Sequence, residues 1–152
     1  MRVAFSRPDV RSASRPGSVS PVVSELRKGS RADARVRAWF AEVDEGEIYL
    51  SVLAIGELRR GIENIRRRDA VQAQALERRL TRLTRQHADR MLPVDRRVAD
   101  QWGRFSNARS ASPVDTLMAA TAHVHEMTLV TRNVRDVAWT GVACLNPFER
   151  RP

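Results

Sequence analysis

Between residues 36 and 145, short apolar runs alternate with longer segments of helical period, and this alternation constrains the fold more than any other feature. Val36, Trp39, Phe40 and Val43 fall at i, i+3, i+4 and i+7, one face of a helix. Residues 47–52 form a β-rich run behind the turn signal Glu45-Gly46. Ser51 is placed to cap a helix whose apolar side is Ile55, Leu58, Ile62 and Ile65. A second helical stripe follows at Leu76, Leu80, Leu83 and His87. Residues 91–94 read as an edge or terminal strand, because Pro93 has no N–H to give to a ladder. Val98, Trp102 and Phe105 mark another helix. Ser112-Pro113 opens a small-residue helix over about 114–125, with proline in the first turn where its missing N–H costs little. Residues 128–131 and 142–145 complete the pattern as strands. Such alternation predicts the α/β class, a three-layer fold with a mainly parallel sheet flanked by helices.

With 152 residues, one core is expected and not two. A single cysteine, Cys144, excludes an internal disulfide and favours a reducing compartment. No apolar run approaches the ~20 residues of a membrane span, so a cytoplasmic chain without membrane attachment is expected. Lys+Arg number 27 against 18 acids, giving a net charge of +9, and Lys28 is the one lysine. Guanidinium groups at this density suit phosphate oxygens, so nucleic acid is the expected partner class. Residues 59–90 concentrate the charge, with ten arginines against four acids.

Residues 1–20 differ from the rest. They hold four arginines, five serines, two prolines and one acid, with neither helical nor alternating apolar period. A segment of this kind buries too little surface to offset its ordering entropy, so a disordered tail is expected over 1–20 and a folded domain over 21–150.

Four side chains fall where an open α/β sheet gathers ligands, at the carboxyl ends of its strands. Glu57 lies in the first turns of the helix after residues 47–52. Asp115 opens the 114–125 helix, and Asn133 and Asp136 follow the 128–131 strand. Oxygen ligands without Cys or paired His suit a hard cation such as Mg²⁺ or Mn²⁺. Each residue also has a plain structural account. An acid near a helix N-terminus complements the macrodipole, Arg60 is in pairing reach of Glu57, and Asn133 and Asp136 suit a turn. His123 and His125 are two apart and point to different faces of a helix, so they are read as structural. Leu76, Leu80, Leu83 and Trp102 could form a groove for a partner helix or pack the chain's own core.

The motifs, in order, resemble the PIN-domain ribonuclease toxins (VapC- and FitB-like) of bacterial type II toxin–antitoxin pairs. Carrying the match are Val22-Val23-Ser24-Glu25-Leu26-Arg27-Lys28-Gly29, Tyr49-Leu50-Ser51-Val52 and Gly56-Glu57-Leu58-Arg59-Arg60-Gly61. Leu92-Pro93-Val94-Asp95, Asp115 with Ala119-Ala120-Thr121-Ala122, Thr131-Arg132-Asn133 with Asp136, and Leu145-Asn146-Pro147-Phe148 extend it. The resemblance spans residues 21–149. It implies a Mg²⁺-dependent endoribonuclease, Mn²⁺ serving in place of Mg²⁺, that is inhibited by a cognate antitoxin and pairs as a homodimer. It also implies that Glu57 and Asp115 are catalytic and bind metal, that Asp136 and Asn133 complete the ion's surroundings, and that Arg59, Arg60 and Arg132 contact RNA. The family's first motif, an apolar strand ending in Asp-Thr-Asn, falls here on Val19, Ser20 and Pro21. The first metal-binding Asp is therefore absent and the first strand is expected to be degenerate. A frameshifted reading of the gene's start would account for so abrupt a change. Impaired cleavage is expected, and the alternative is an inactive PIN-like protein that binds antitoxin or RNA without cutting.

Overall fold

The computed structural model describes residues 4–6, 33–106 and 112–149. Its elements in chain order are β1 (Ala4–Ser6), α1 (Ala34–Glu42), β2 (Tyr49–Ser51), α2 (Val52–Arg66) and α3 (Ala70–Gln86), then β3 (Met91–Leu92), α4 (Arg96–Ser106), α5 (Pro113–Val124), β4 (Thr128–Val130), α6 (Val134–Val137) and β5 (Cys144–Leu145). Short 3-10 turns precede β2 and β3 and follow α6.

Five strands form one sheet in the order β3-β2-β1-β4-β5. β2 runs parallel to β3, and β4 parallel to β5. Side chains alternate across the sheet as a period of two requires. Leu50, Val130 and Leu145 meet α1, α2 and the C-terminal Phe148 on one face. Tyr49, Leu129 and Cys144 meet α4, α5 and α6 on the other, with Met118, Ala119 and Ala122 of α5 fully buried there. The expected three-layer, mainly parallel α/β architecture is what the chain adopts.

β1 corrects one expectation: residues 4–6 belong to the sheet and not to a structureless tail. β1 lies between β2 and β4 and is antiparallel to both, pairing Ala4 with Leu50 and Val130, and Phe5 with Tyr49 and Leu129. The physical reason is backbone accounting. β2 and β4 do not pair with each other, so their inner edges would leave a row of N–H and C=O groups unbonded inside the molecule. Three residues between them satisfy both edges, and the partners decide this, not local propensity. The rest of 1–20, including Val19, and the stretch 21–32 lie outside the described residues.

The helices begin as their sequences dictate. Buried Ser51 caps α2 by accepting from the Leu53 N–H at 3.2 Å, Asp69 caps α3 through the Gln72 N–H at 2.8 Å, and Pro113 starts α5. Ala73, Leu76 and Leu80 of α3 pack against Ile62 of α2, with Ile55, Leu58, Ile65 and Leu83 around them. This apolar seam closes α2 and α3 into a hairpin.

Candidate active site

The direction of the strands brings three helix starts to one rim. α2 follows the carboxyl end of β2 directly, and α6 follows that of β4. α5 enters β4 through a tight return at residues 125–127, so its N-terminus lies at the same end of the sheet. Leu53 of the first α2 turn and Val114 of the first α5 turn belong to one apolar cluster. Glu57 stands one turn after Leu53 on the same side of α2, and Asp115 follows Val114.

Each acidic side chain has a distinct setting. Asp115, third residue of α5, is only 4% exposed, and its carboxylate sits where the helix dipole favours negative charge. The Glu57 side chain is 15% exposed, and its carboxylate accepts from the Arg60 guanidinium at 3.2 Å. Asn133 and Asp136 shape the loop after β4. The Asn133 N–H donates to the buried Thr131 hydroxyl at 3.0 Å, and the Asp136 N–H donates to the Asn133 carbonyl at 3.1 Å. The Trp139 indole N–H in turn donates to the Asp136 carbonyl, while the Asp136 side chain is exposed.

The donor set of this rim falls short of a metal cage. Among the described residues no three His, Cys, Asp or Glu side chains gather as a cation would require. Glu57 and Asp115 are half-buried and buried, whereas Asp136 lies in solvent. Among the described residues the rim therefore carries two carboxylates withdrawn from solvent, Glu57 and Asp115, and no third.

The arginines proposed from sequence are engaged within the chain. Arg59 bonds to Glu77 of α3 and lies 3.7 Å from Glu63. Arg66 bridges Glu63 and Glu77, at 2.9 Å to each. Arg132 stacks its guanidinium on the Phe148 ring, 3.8 Å from the centroid. Arg35 donates to the Phe148 carbonyl at 2.6 Å, so two arginines from distant elements pin the C-terminal turn. No local signal in the sequence marks that strap, because its partners are 113 residues apart. Thr131, in the motif Thr131-Arg132-Asn133, is buried, so that its hydroxyl fixes the start of the loop after β4. Leu76 and Leu80 are buried inside the α2–α3 hairpin and so form core, not groove. His123 packs edge-on against Phe105, in keeping with a structural role.

The family model for the PIN domain matches residues 20–138. Toxin FitB of Neisseria gonorrhoeae is 29% identical over 134 residues, covering 84% of this chain and 94% of that protein. The structure of FitAB bound to the IR36 DNA fragment superposes with a TM-score of 0.76 at 26% identity, over 87% of this chain and 94% of that one. FitAcB from Neisseria gonorrhoeae gives 0.76 at 27%, over 86% and 96%. VapBC-1 from nontypeable Haemophilus influenzae shares the fold, with a TM-score of 0.63 at 16% identity, over 84% and 94%.

Proposed function

The chain belongs to the PIN-domain family, and on that premise we propose that it is the toxin component of a type II toxin–antitoxin pair. In this reading it is an endoribonuclease of reduced activity, held in check in the cytoplasm by a cognate antitoxin and assembled as a homodimer. The observation that carries the reading is the correspondence with a curated toxin over 84% of this chain and 94% of that protein, together with a matching fold.

The rim supports a phosphodiesterase site that is short of a metal-holding carboxylate among the described residues. Glu57 and Asp115 lie in the opening turns of α2 and α5, where the resemblance puts the acidic groups, and Asn133 and Asp136 lie in the segment after β4. The described residues do not fit a complete Mg²⁺ or Mn²⁺ cage. When bound, such an ion would activate water and offset charge on the attacked phosphate. The chain's own contribution is narrower. Asp115 is a buried carboxyl group in the first turn of α5, where the helix dipole favours negative charge, and Arg60 bonds to the Glu57 carboxylate. Two carboxylates alone repel an approaching phosphodiester, so cleavage is slow without a third ligand. Loss of one preorganised electrostatic group costs on the order of 10²–10³ in rate.

The absence of a three-carboxylate group among the described residues favours a second reading, an inactive protein that binds antitoxin or RNA without cutting. One assay separates the two. Structured RNA is incubated with Mg²⁺ or Mn²⁺ and either the native chain or Asp115→Ala. The enzyme reading expects slow, ion-dependent cleavage that Asp115→Ala abolishes. Equal cleavage by both proteins removes this rim from the chemistry, and no cleavage by either establishes the second reading. A stable complex with the product of a short neighbouring reading frame is expected under both, and its absence removes the antitoxin pairing.

A further inference from the structure

Sorting the arginines of the α2–α3 hairpin by what they touch separates those that hold the fold from those that do not. Glu63 and Glu77 are taken up by Arg59 and Arg66, Asp69 caps α3, and Asp89 pairs with Arg90 at 3.4 Å. Every acid of the hairpin between residues 59 and 90 is thereby engaged. On α3, the side chains of Arg78, Arg82 and Arg85 are all exposed and make no hydrogen bond or ion pair to another described residue. They recur at i, i+4 and i+7, one stripe of α3 directed away from the buried Ala73, Leu76 and Leu80. Gln74 stands one turn before Arg78 and Gln86 one turn after Arg82, and Arg67 and Arg68 extend the positive charge at the α2–α3 turn.

Like charges one turn apart destabilise a helix, and here no acid relieves them. The last turn of α3 can use Arg85 to complement its dipole, but Arg78 lies two turns further in, beyond that effect. We propose that the stripe Arg78, Arg82 and Arg85 is a docking track for the phosphate backbone of an RNA strand, separate from the acidic rim. This inference rests on the RNA reading above and assigns the electrostatic work to α3 and not to Arg59, Arg60 and Arg132. The planar guanidinium fork donates to phosphate oxygens in pairs, and a stripe without aromatic neighbours on the same face gives affinity without base readout.

The test uses the full chain with EDTA present, so that binding is read apart from cleavage. Anisotropy of a labelled single-stranded RNA of about 20 nucleotides is followed from about 50 to 300 mM KCl. Each neutralised phosphate contributes about 0.7 to the slope of log K against log salt, so the triple Arg→Gln variant at 78, 82 and 85 is expected to lose about 2 from that slope. Gln keeps helix propensity at these exposed positions, and the triple Arg→Lys variant is expected to restore most of the slope. Arg104→Gln on α4, an exposed residue bonded to Asp100, is the control and is expected to change nothing. RNA bound equally by the native chain and the triple Gln variant overturns the track and leaves the RNA reading standing. No RNA binding by the native chain overturns both. Binding of a polyglutamate peptide as tight as that of RNA would assign the stripe to an acidic protein and likewise overturn the proposal.

Discussion

Cys144 illustrates how surroundings decide the chemistry of a single side chain. It sits in β5 among apolar neighbours, its thiol donates to the Val142 carbonyl at 3.2 Å, and burial pushes its pKa up to about 11 from 9.0. The thiolate is the reactive form, so at pH 8 about a hundredfold less of it is present than on a free cysteine. Alkylation by iodoacetamide at pH 8 is expected to be slow in the native protein and fast in urea. Comparable rates in the two states would refute the burial argument. The linkage has a definite sign. The folded state favours the protonated thiol, so this contribution is intact below pH 9 and is lost as pH rises from 9 toward 11. The sequence alone suggests a small core residue here, which is how Cys144 behaves. Asp115 is legible in the same way, by its place in a first helical turn, but its near-complete burial is a property of the packed helices and could not be read from residue type.

The α2–α3 hairpin carries the clearest argument at the level of elements. Its apolar seam is written in the spacing of Ile55, Leu58 and Ile62 against Leu76 and Leu80, and the structure uses these positions as the period implies. The ionic lattice over that seam is not written there. Arg59, Glu63, Arg66 and Glu77 join into one network because α2 and α3 pack antiparallel. The Arg66 guanidinium holds the Glu63 carboxyl below its usual 4.5, and Arg59 followed by Arg66 does the same for Glu77. A depressed carboxyl pKa stabilises the fold above the unfolded value and stops doing so as pH falls through the folded value. Glu77→Gln is therefore expected to lower the melting temperature near pH 7, with the gap to the native chain closing below pH 4.5. High salt should narrow the gap at neutral pH as well, since all four side chains are partly exposed. Thermal unfolding followed by circular dichroism at three pH values measures this, and a gap that persists at acid pH would assign the effect to packing instead.

For the whole molecule the decisive feature is the strand at the sheet centre. Three residues near the N-terminus tie β2–β3 to β4–β5, and without them the two parallel pairs share no ladder. Phe5→Pro removes a backbone donor and constrains φ in the middle of that ladder. A cost of about 1–3 kcal/mol is expected from the backbone group left without its partner, read as a lower urea midpoint. A midpoint unchanged from the native chain would show that residues 4–6 do not hold the centre.

The alternation of apolar periods by itself determined α1 to α5, the four parallel strands and the element ends at which Glu57, Asp115 and Asn133 fall, while the short α6 was legible only as a turn. These follow from local pattern and from the right-handed connection of parallel strands, which leave few arrangements open. Composition read over twenty residues could not reveal β1, because a three-residue strand is selected by two unpaired edges distant in sequence. Nor could it tell which arginines are taken up by carboxylates and which stay open to solvent. Only the tertiary structure decided those two points, since both depend on which groups the packed chain brings within hydrogen-bonding distance of one another.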